Sequence, residues 1–191
     1  MNDWYFPIKD NFLWPDKLGK FGAVRKFDIH TGVDLYCDSE TPIYAAENGV
    51  VECIENFTGT NAGSPWWNDT KAVLIKGQSG IICYGEIKPK QDVIQGVFVK
   101  RGSLIGNVVR VLKKDKGRPM SMLHIELYKS SAKGTVIWNL NSNKPYYLLD
   151  PTKKLKDAFI SSYKLAENEN AALIKENSLN LFNGILKISK F

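Results

Sequence analysis

Residues 71–84 are Lys-Ala-Val-Leu-Ile-Lys-Gly-Gln-Ser-Gly-Ile-Ile-Cys-Tyr, and this stretch predicts a β-hairpin. Two runs rich in β-branched and apolar residues flank a short loop that begins and ends with glycine. Similar short runs separated by turn signals lie on both sides of the hairpin, at 42–46, 50–54, 96–102, 103–109 and 123–128. Many short strands with turns between them are typical of an all-β sandwich or a barrel-like sheet. The last run alternates apolar and polar residues, which predicts a half-buried strand.

The composition excludes several classes of protein. With 43% hydrophobic and 12% aromatic residues among 191, the chain is too apolar to be disordered. Three cysteines cannot form a disulfide framework, and each lies in apolar strand sequence, which favours buried thiols. The net charge of +6 is spread over dispersed lysines without a basic stripe, so no nucleic-acid partner is expected. A weak attraction to an anionic polymer, such as a cell-wall surface, is compatible with this charge.

The chain divides into three predicted parts. Asp150-Pro151 predicts the start of a helix, because Asp is a good N-cap and Pro fits the first helical position. We therefore predict an N-terminal segment (1–20), a β domain (21–151) and a helical C-terminal extension (152–191). Leu155, Ala158, Phe159, Ser162 and Tyr163 recur at helical spacing in the extension. An apolar group follows near its end: Leu181, Phe182, Ile185, Leu186 and Ile188. The distal group either docks on the β domain or forms a partner-binding arm.

Residues 58–70 predict a surface loop inserted between two strands, because Asn, Gly and Thr dominate this stretch. The loop holds Trp66 and Trp67 side by side. This pair is either a platform for substrate or the side of the loop that packs on the sheet.

No targeting or membrane-spanning segment is expected. Residues 1–7 show neither a basic region nor an apolar run of secretory length, and no later run reaches the ~18 apolar residues that span a bilayer. The protein is therefore cytoplasmic, or secreted or periplasmic with its leader removed.

Two histidines and one aspartate form a candidate metal site. His30 and Asp34 are four residues apart in His-Thr-Gly-Val-Asp, where Gly32 and Val33 predict a turn that runs into a strand. His124 lies in the middle of another predicted strand. Two His and one Asp with an open fourth position suit a catalytic zinc ion, although spacing alone is equally compatible with unrelated histidines.

The surrounding motifs resemble those of the lysostaphin-type (LytM-like) zinc metallopeptidases, in the same order and spacing over about residues 21–151. The matching segments are Phe-Gly-Ala-Val-Arg (21–25), His-Thr-Gly-Val-Asp (30–34), Thr-Pro-Ile-Tyr-Ala-Ala-Glu-Asn-Gly-Val-Val (41–51), Val-Lys-Arg-Gly-Ser-Leu-Ile-Gly (99–106) and Leu-His-Ile-Glu-Leu (123–127). The resemblance implies a twisted antiparallel sheet with a central groove and endopeptidase cleavage of peptidoglycan cross-links. Peptidoglycan or a Gly-rich peptide is then the expected substrate, with Zn²⁺ as the cofactor.

Carried over to this sequence, the resemblance makes His30, Asp34 and His124 the three zinc ligands. Both of the other histidines that the family places beside the metal are replaced, one by Met122 and one by Glu86. The period of two along a strand predicts that Met122, His124 and Glu126 share one face. A thioether donates no hydrogen bond, so Met122 cannot stabilise an oxyanion. Glu126 matches a family acid that either contacts the site or supports it.

Glu86 has three alternative roles at this stage. By the same period it is expected to share a strand face with Tyr84 and to approach the metal from the opposite strand. Its carboxylate could act as the general base, as a fourth ligand that closes the site, or as a salt-bridged surface acid. Tyr84 is a candidate substrate contact, and Arg25 either orients substrate or forms a structural ion pair.

Three functions remain open from the sequence. The first hypothesis is an active zinc endopeptidase that uses Glu86 as its base. The second, which we favour, is a zinc-binding relative with impaired catalysis that acts as a peptide-binding, glycan-binding or regulatory module. The third is an interaction scaffold with little or no metal.

Overall fold

The computed structural model of the protein describes residues 4–9, 11–115, 117 and 119–165. This part of the chain is mainly β, as predicted, with one helix near its C-terminal end, α1 (152–165). The strands are β1 Phe12–Leu13, β2 Asp28–Ile29, β3 Val33–Cys37, β4 Pro42–Tyr44, β5 Gly49–Thr58, β6 Thr70–Gly77, β7 Gly80–Pro89, β8 Phe98–Val99, β9 Leu104–Val108, β10 Met122–Tyr128, β11 Trp138–Asn139 and β12 Leu148–Leu149.

Within the described residues, ten of these strands form one antiparallel sheet. Its main order is β1-β3-β10-β7-β6-β5-β8, with β12 paired to β10 and with β4 joined through β9 to β7. The predicted hairpin is β6–β7, in which Gly77 lies opposite Gly80 and only two residues form the loop. The remaining strands, β2 and β11, pair with each other in a small two-stranded sheet, and β2 ends at the residue before His30.

Both faces of the centre of the sheet are covered. Leu123, Ile125 and Leu127 of β10 belong to the main hydrophobic core, so the predicted alternation along this strand is confirmed. A second apolar cluster, which includes Cys83 and Tyr128, covers part of the opposite face. All seven residues of β10 are consequently buried, whereas the sequence predicted a half-buried strand. The polar positions of β10 are buried because they face the candidate site and this second cluster.

The N-terminal segment and α1 pack on the same core as the sheet. Phe6 lies in that core, and its ring contacts Phe159 of α1 at a centroid distance of 5.3 Å. Asp150 caps the helix, since its Oδ1 accepts the backbone N–H of Thr152 at 2.8 Å. Leu155 is completely buried, whereas Tyr163 at the far end of α1 is exposed.

Two of the expectations from the sequence remain predictions. The boundaries proposed near residues 20 and 151 remain predictions, and the apolar group at 181–188 lies outside the described residues. Among the described helical residues, none forms a helix long and apolar enough to cross a membrane.

Candidate metal centre

His30, Asp34 and His124 are brought together by the pairing of β3 with β10. Asp34 lies directly opposite His124 in the register of these strands, and His30 precedes β3 by one turn. The turn requires glycine at position 32, because a Cβ there would lie 2.4 Å from the carbonyl oxygen of Ile125 and 2.8 Å from the His124 ring. Residues that are 90 positions apart in sequence thus become neighbours on one face of the sheet.

The three side chains present their ligand atoms to one point. His124 Nδ1 lies 2.8 Å from Asp34 Oδ1, and His30 Nε2 lies 3.1 Å from both of these atoms. Zinc–ligand bonds of about 2.1 Å place neighbouring ligand atoms of a tetrahedral site roughly 3.3 Å apart, close to these distances. Among the described residues, this is the group of His, Cys, Asp and Glu that could hold a metal ion. The donor set of two imidazoles and one carboxylate fits zinc.

Two of the three ligands, His30 and Asp34, are oriented by a further group. His30 Nδ1 lies 2.9 Å from the Lys20 carbonyl, so this nitrogen carries the proton and Nε2 keeps its lone pair for a metal. Arg25 binds the second oxygen of Asp34 at 2.6 Å and also donates to the Leu18 carbonyl. The structure therefore shows the ion pair that was one alternative for Arg25.

Glu126 lies behind His124 and is almost fully buried. Its oxygens accept hydrogen bonds from Thr31 and from Tyr128, the latter at 2.7 Å. Oε1 is also 3.2 Å from His124 Nε2, but the two groups are not aligned as a hydrogen bond, and this nitrogen has no other hydrogen-bond partner. Of the two roles considered for Glu126, the contacts show the supporting one.

The charges of the cluster depend on one another. Burial opposes ionisation of Asp34, but its hydrogen bonds with both imidazoles hold the pKa of its carboxyl far below the ordinary value. Burial also tends to lower the pKa of His124, yet Asp34 and Glu126 raise it to about 10. For His30 burial prevails, and its pKa is lowered. In the metal-free site His124 therefore carries a proton that balances the charge of Asp34, and a bound metal ion would have to displace that proton.

Glu86 does not share a face with Tyr84, which corrects the sequence prediction. In the pairing of β6 with β7, Lys71 lies opposite Ile87 and Val73 lies opposite Tyr84. Two steps along β6 therefore match three steps along β7, so β7 carries a bulge of one extra residue. Glu86 adopts a positive φ of 64° within it. The bulge turns Glu86 away from the core side of Tyr84, and Asp34 and His124 are the charged groups with most influence on its carboxyl.

The surroundings of Glu86 reduce the three roles predicted for its carboxylate to two. The side chain is 7% exposed, and its Oε2 has no hydrogen-bond partner, which contradicts a salt-bridged surface acid. Burial first, and then the charge of Asp34, raise the pKa of Glu86 to about 8. Glu86 lies outside the group of three whose ligand atoms are all within 4.8 Å of one another.

Two other predicted site residues are buried in ways that limit their roles. Met122 lies opposite Tyr36 in the strand register and offers no hydrogen-bond donor to the site. Tyr84 is completely buried in the main core, and its hydroxyl accepts the backbone N–H of Ala46 at 2.7 Å. Tyr84 therefore has no exposed surface with which to contact a substrate, because its side chain lies in the main core.

The loop at 58–70 separates its two tryptophans. Trp67 is half-buried and forms a β-bridge with Leu112, whereas Trp66 is 63% exposed. The packing alternative is thus realised by Trp67, whereas a platform for substrate stays a prediction for Trp66.

Two structural neighbours of the site were absent from the sequence predictions. Phe57 packs on the His124 ring with centroids 5.2 Å apart, and Tyr36 lies beside Met122 on the same face. Tyr36 follows Asp34 by two residues, so strand periodicity could have identified it. Nothing in the local sequence around Phe57 indicates its contact with a strand 67 residues later.

The cysteines behave as the sequence predicted. Cys37 and Cys83 are buried and Cys53 is half-buried, and all three are free thiols. Burial raises the pKa of Cys37 and of Cys53 to about 11, so these thiols stay protonated.

Comparisons with known proteins found one matching family model and several solved structures of similar fold. The family model described as Peptidase family M23 matches residues 28–138, more than half of the chain. Lysostaphin has a similar fold, with a TM-score of 0.50 and 19% identity, over 77% of this chain and 51% of lysostaphin. A candidate glycyl-glycine endopeptidase, lytM of Ruminococcus gnavus, also has a TM-score of 0.50 at 19% identity, over 82% of this chain and 61% of its own.

A third solved structure is similar over nearly its whole length. The catalytic domain of the prophage-encoded M23 protein EnpA from Enterococcus faecalis is 22% identical, with a TM-score of 0.48, over 73% of this chain and 98% of its own. The chain thus spans about half the length of lysostaphin but nearly all of this catalytic domain. No curated protein matches the chain.

Proposed function

The chain belongs to peptidase family M23, and from this membership we propose that it is a zinc-binding domain directed at peptidoglycan in which peptide hydrolysis is impaired. His30, Asp34 and His124 would hold the ion. One observation carries the zinc assignment: three buried ligand atoms from two distant segments converge with separations of 2.8–3.1 Å. Bound there, zinc would supply the Lewis acidity that polarises a peptide carbonyl.

The proposed impairment rests on the groups beside the cluster. Position 122 carries a thioether, which cannot donate a hydrogen bond to an oxyanion, and loss of one such donor lowers rates by about 10²–10³. The sequence contains only two histidines, and both belong to the cluster. No imidazole is therefore left to act as a general acid or base.

A second candidate, the active endopeptidase, is favoured by Glu86. This carboxyl is buried, one of its oxygens lacks a partner, and its pKa is raised to about 8. A general base works best when its pKa is near the working pH, so Glu86 could accept the proton of an attacking water molecule. If zinc is bound and hydrolysis is absent, the chain acts as a peptide-binding, glycan-binding or regulatory module. If zinc is also absent, the remaining function is an interaction scaffold with little or no metal.

Zinc content and hydrolysis of pentaglycine and of purified peptidoglycan test the proposal. We expect about one equivalent of zinc, as for an intact three-ligand site, and hydrolysis close to background. The double variant Met122→His, Glu86→His restores both donors and should raise hydrolysis by about 100-fold or more. Met120→His is the matched control, since it adds a histidine at a methionine outside β10.

Other outcomes would reject the proposal. Chelator-sensitive hydrolysis by the natural chain that Glu86→Gln abolishes would establish the active endopeptidase. If His30→Ala abolished hydrolysis while Glu86→Gln had no effect, the chain would be active but Glu86 would not be its base. A zinc content below about a tenth of an equivalent would support the scaffold, because an intact site retains its ion.

A further inference from the structure

We propose that the loop at 58–70 is a saccharide-binding platform centred on Trp66, which holds the glycan strand of a cell-wall polymer beside the metal cluster. The choice of polymer rests on the proposed function. The binding itself involves only the loop.

The loop is held rigid by its own hydrogen bonds. Thr58 Oγ1 contacts Thr70 Oγ1 and the Asn68 carbonyl, both at 2.8 Å, which closes the base of the loop. Gly59 and Ser64 form a second closure, because each donates its backbone N–H to the other residue, at 2.9 and 2.8 Å. A loop that is ordered before binding loses little conformational entropy when a ligand arrives.

The loop is also joined to residues 109–111, a segment that lies next to Glu86 and Met122 in the structure. Asn68 donates its backbone N–H to the Val111 carbonyl at 2.9 Å and its side-chain N–H to the Arg110 carbonyl at 2.8 Å. The same segment reaches the site at two points. Val109 donates to the Glu86 carbonyl, and Arg110 forms a β-bridge with Ser121, the residue before Met122. The platform is therefore fixed relative to the cluster.

The side chain of Trp66 is exposed on this hydrogen-bonded loop. Its side chain is 63% exposed, and Trp67 supports it edge-on, with ring centroids 6.3 Å apart and planes at 69°. Lys113 reaches across to the Pro65 carbonyl at 2.7 Å and fixes the backbone before Trp66. An indole that is exposed yet rigidly mounted contributes little to the core, but it is the kind of side chain that dominates binding sites.

The surroundings of Trp66 favour a saccharide over an apolar protein partner. The other exposed residues of the loop are polar or small: Thr60, Asn61, Gly63, Pro65 and Asp69. A pyranose ring offers a face of C–H groups to the electron-rich indole, and its hydroxyl and amide groups suit polar neighbours. One indole among polar side chains lacks the contiguous apolar area that protein interfaces use at their centre.

The test is calorimetric titration of the full chain with tetra-N-acetylchitotetraose, which contains no scissile peptide bond, with and without a chelator. We expect binding under both conditions and a Kd at least about tenfold weaker for Trp66→Ala, as for a central tryptophan contact. Phe98→Ala is the matched control, and it should bind as the natural chain does. Phe98 is 58% exposed on β8, which pairs with Gly49 and Val50 at the start of β5, whereas the loop follows the other end of that strand. Circular dichroism establishes that both variants are folded.

Three results would overturn the inference: no binding by the natural chain, equal weakening in both variants, or an effect of Trp66→Ala on pentaglycine binding with none on the oligosaccharide. The last result would assign the platform to peptide. Absence of zinc, or strong hydrolysis by the natural chain, would contradict only the proposed function, since oligosaccharide binding in chelator is measured independently of both.

Discussion

At the scale of single residues, Glu86 shows how one backbone angle changes a side chain's surroundings. Its φ of 64° lies in the left-handed region, which non-glycine residues rarely adopt, and it occurs where β7 carries one extra residue. An extended residue at this position would point with Tyr84 into the apolar core. The bulge instead leaves a buried carboxyl near the metal ligands, with one oxygen unpaired.

The raised pKa of Glu86 predicts a pH-dependent stability in the metal-free protein. Between its unfolded value near 4.5 and its folded value of about 8, the folded state holds a proton that the unfolded state has released. Raising the pH through this window therefore favours unfolding, by up to about 1.4 kcal/mol per pH unit for one proton. Glu86→Gln removes this dependence, so the free energy of unfolding of the natural protein, measured by urea titration in chelator, should fall relative to that of the variant as the pH rises. Parallel pH profiles would contradict the buried, protonated carboxyl.

At the scale of elements, β10 and β7 show when strand periodicity is a sufficient guide. Along β10 every second residue enters the main core, so the face that carries Met122, His124 and Glu126 follows from the sequence. Along β7 the same rule holds up to Tyr84 and then fails at the bulge. The local signal for this failure is Gly85, because a glycine inside a strand often marks a bulge, but it does not say which way Glu86 turns.

The helix α1 has one side buried against the core and one side exposed, and we predict different effects of mutations on the two sides. Leu155 is fully buried against the core, so Leu155→Ala should lower the free energy of unfolding by about 2–5 kcal/mol. Tyr163→Ala, at a residue that is 60% exposed, should change it by less than about 0.5 kcal/mol. Chemical denaturation of both variants provides the measurement. Similar small effects would mean that α1 is not docked on the sheet.

At the scale of the whole molecule, the metal cluster joins parts of the chain that are otherwise far apart. The turn before β3 supplies His30, β3 itself supplies Asp34 and β10 supplies His124. The segment before β2 supplies the Lys20 carbonyl and the Arg25 guanidinium. A cation bound there would link these parts only in the folded state. The buried charge of Asp34 would also gain a stronger partner.

Removal of zinc should therefore destabilise the protein. At a free zinc concentration of 100 times the Kd, binding adds about 2.7 kcal/mol to the free energy of unfolding, and a chelator should remove this increment and lower the Tm. His30→Ala is the control, because a chain without one ligand should show a much smaller zinc-dependent shift. An equal Tm with zinc and with chelator in the natural chain would contradict a folded-state zinc site.

The sequence by itself determined the strand content, the hairpin at 71–84, the alternation along β10 and the identity of the three candidate ligands. The first three features depend on residues that are close in the chain, and local pattern encodes them. The ligands follow from the resemblance of the motifs around them. Only the tertiary structure decided that His30 and His124 meet, that Arg25 is bound to Asp34, that Tyr84 is buried and that Glu86 faces the cluster. Each of these depends on strand register and on a bulge, which are set by packing between segments that lie tens of residues apart.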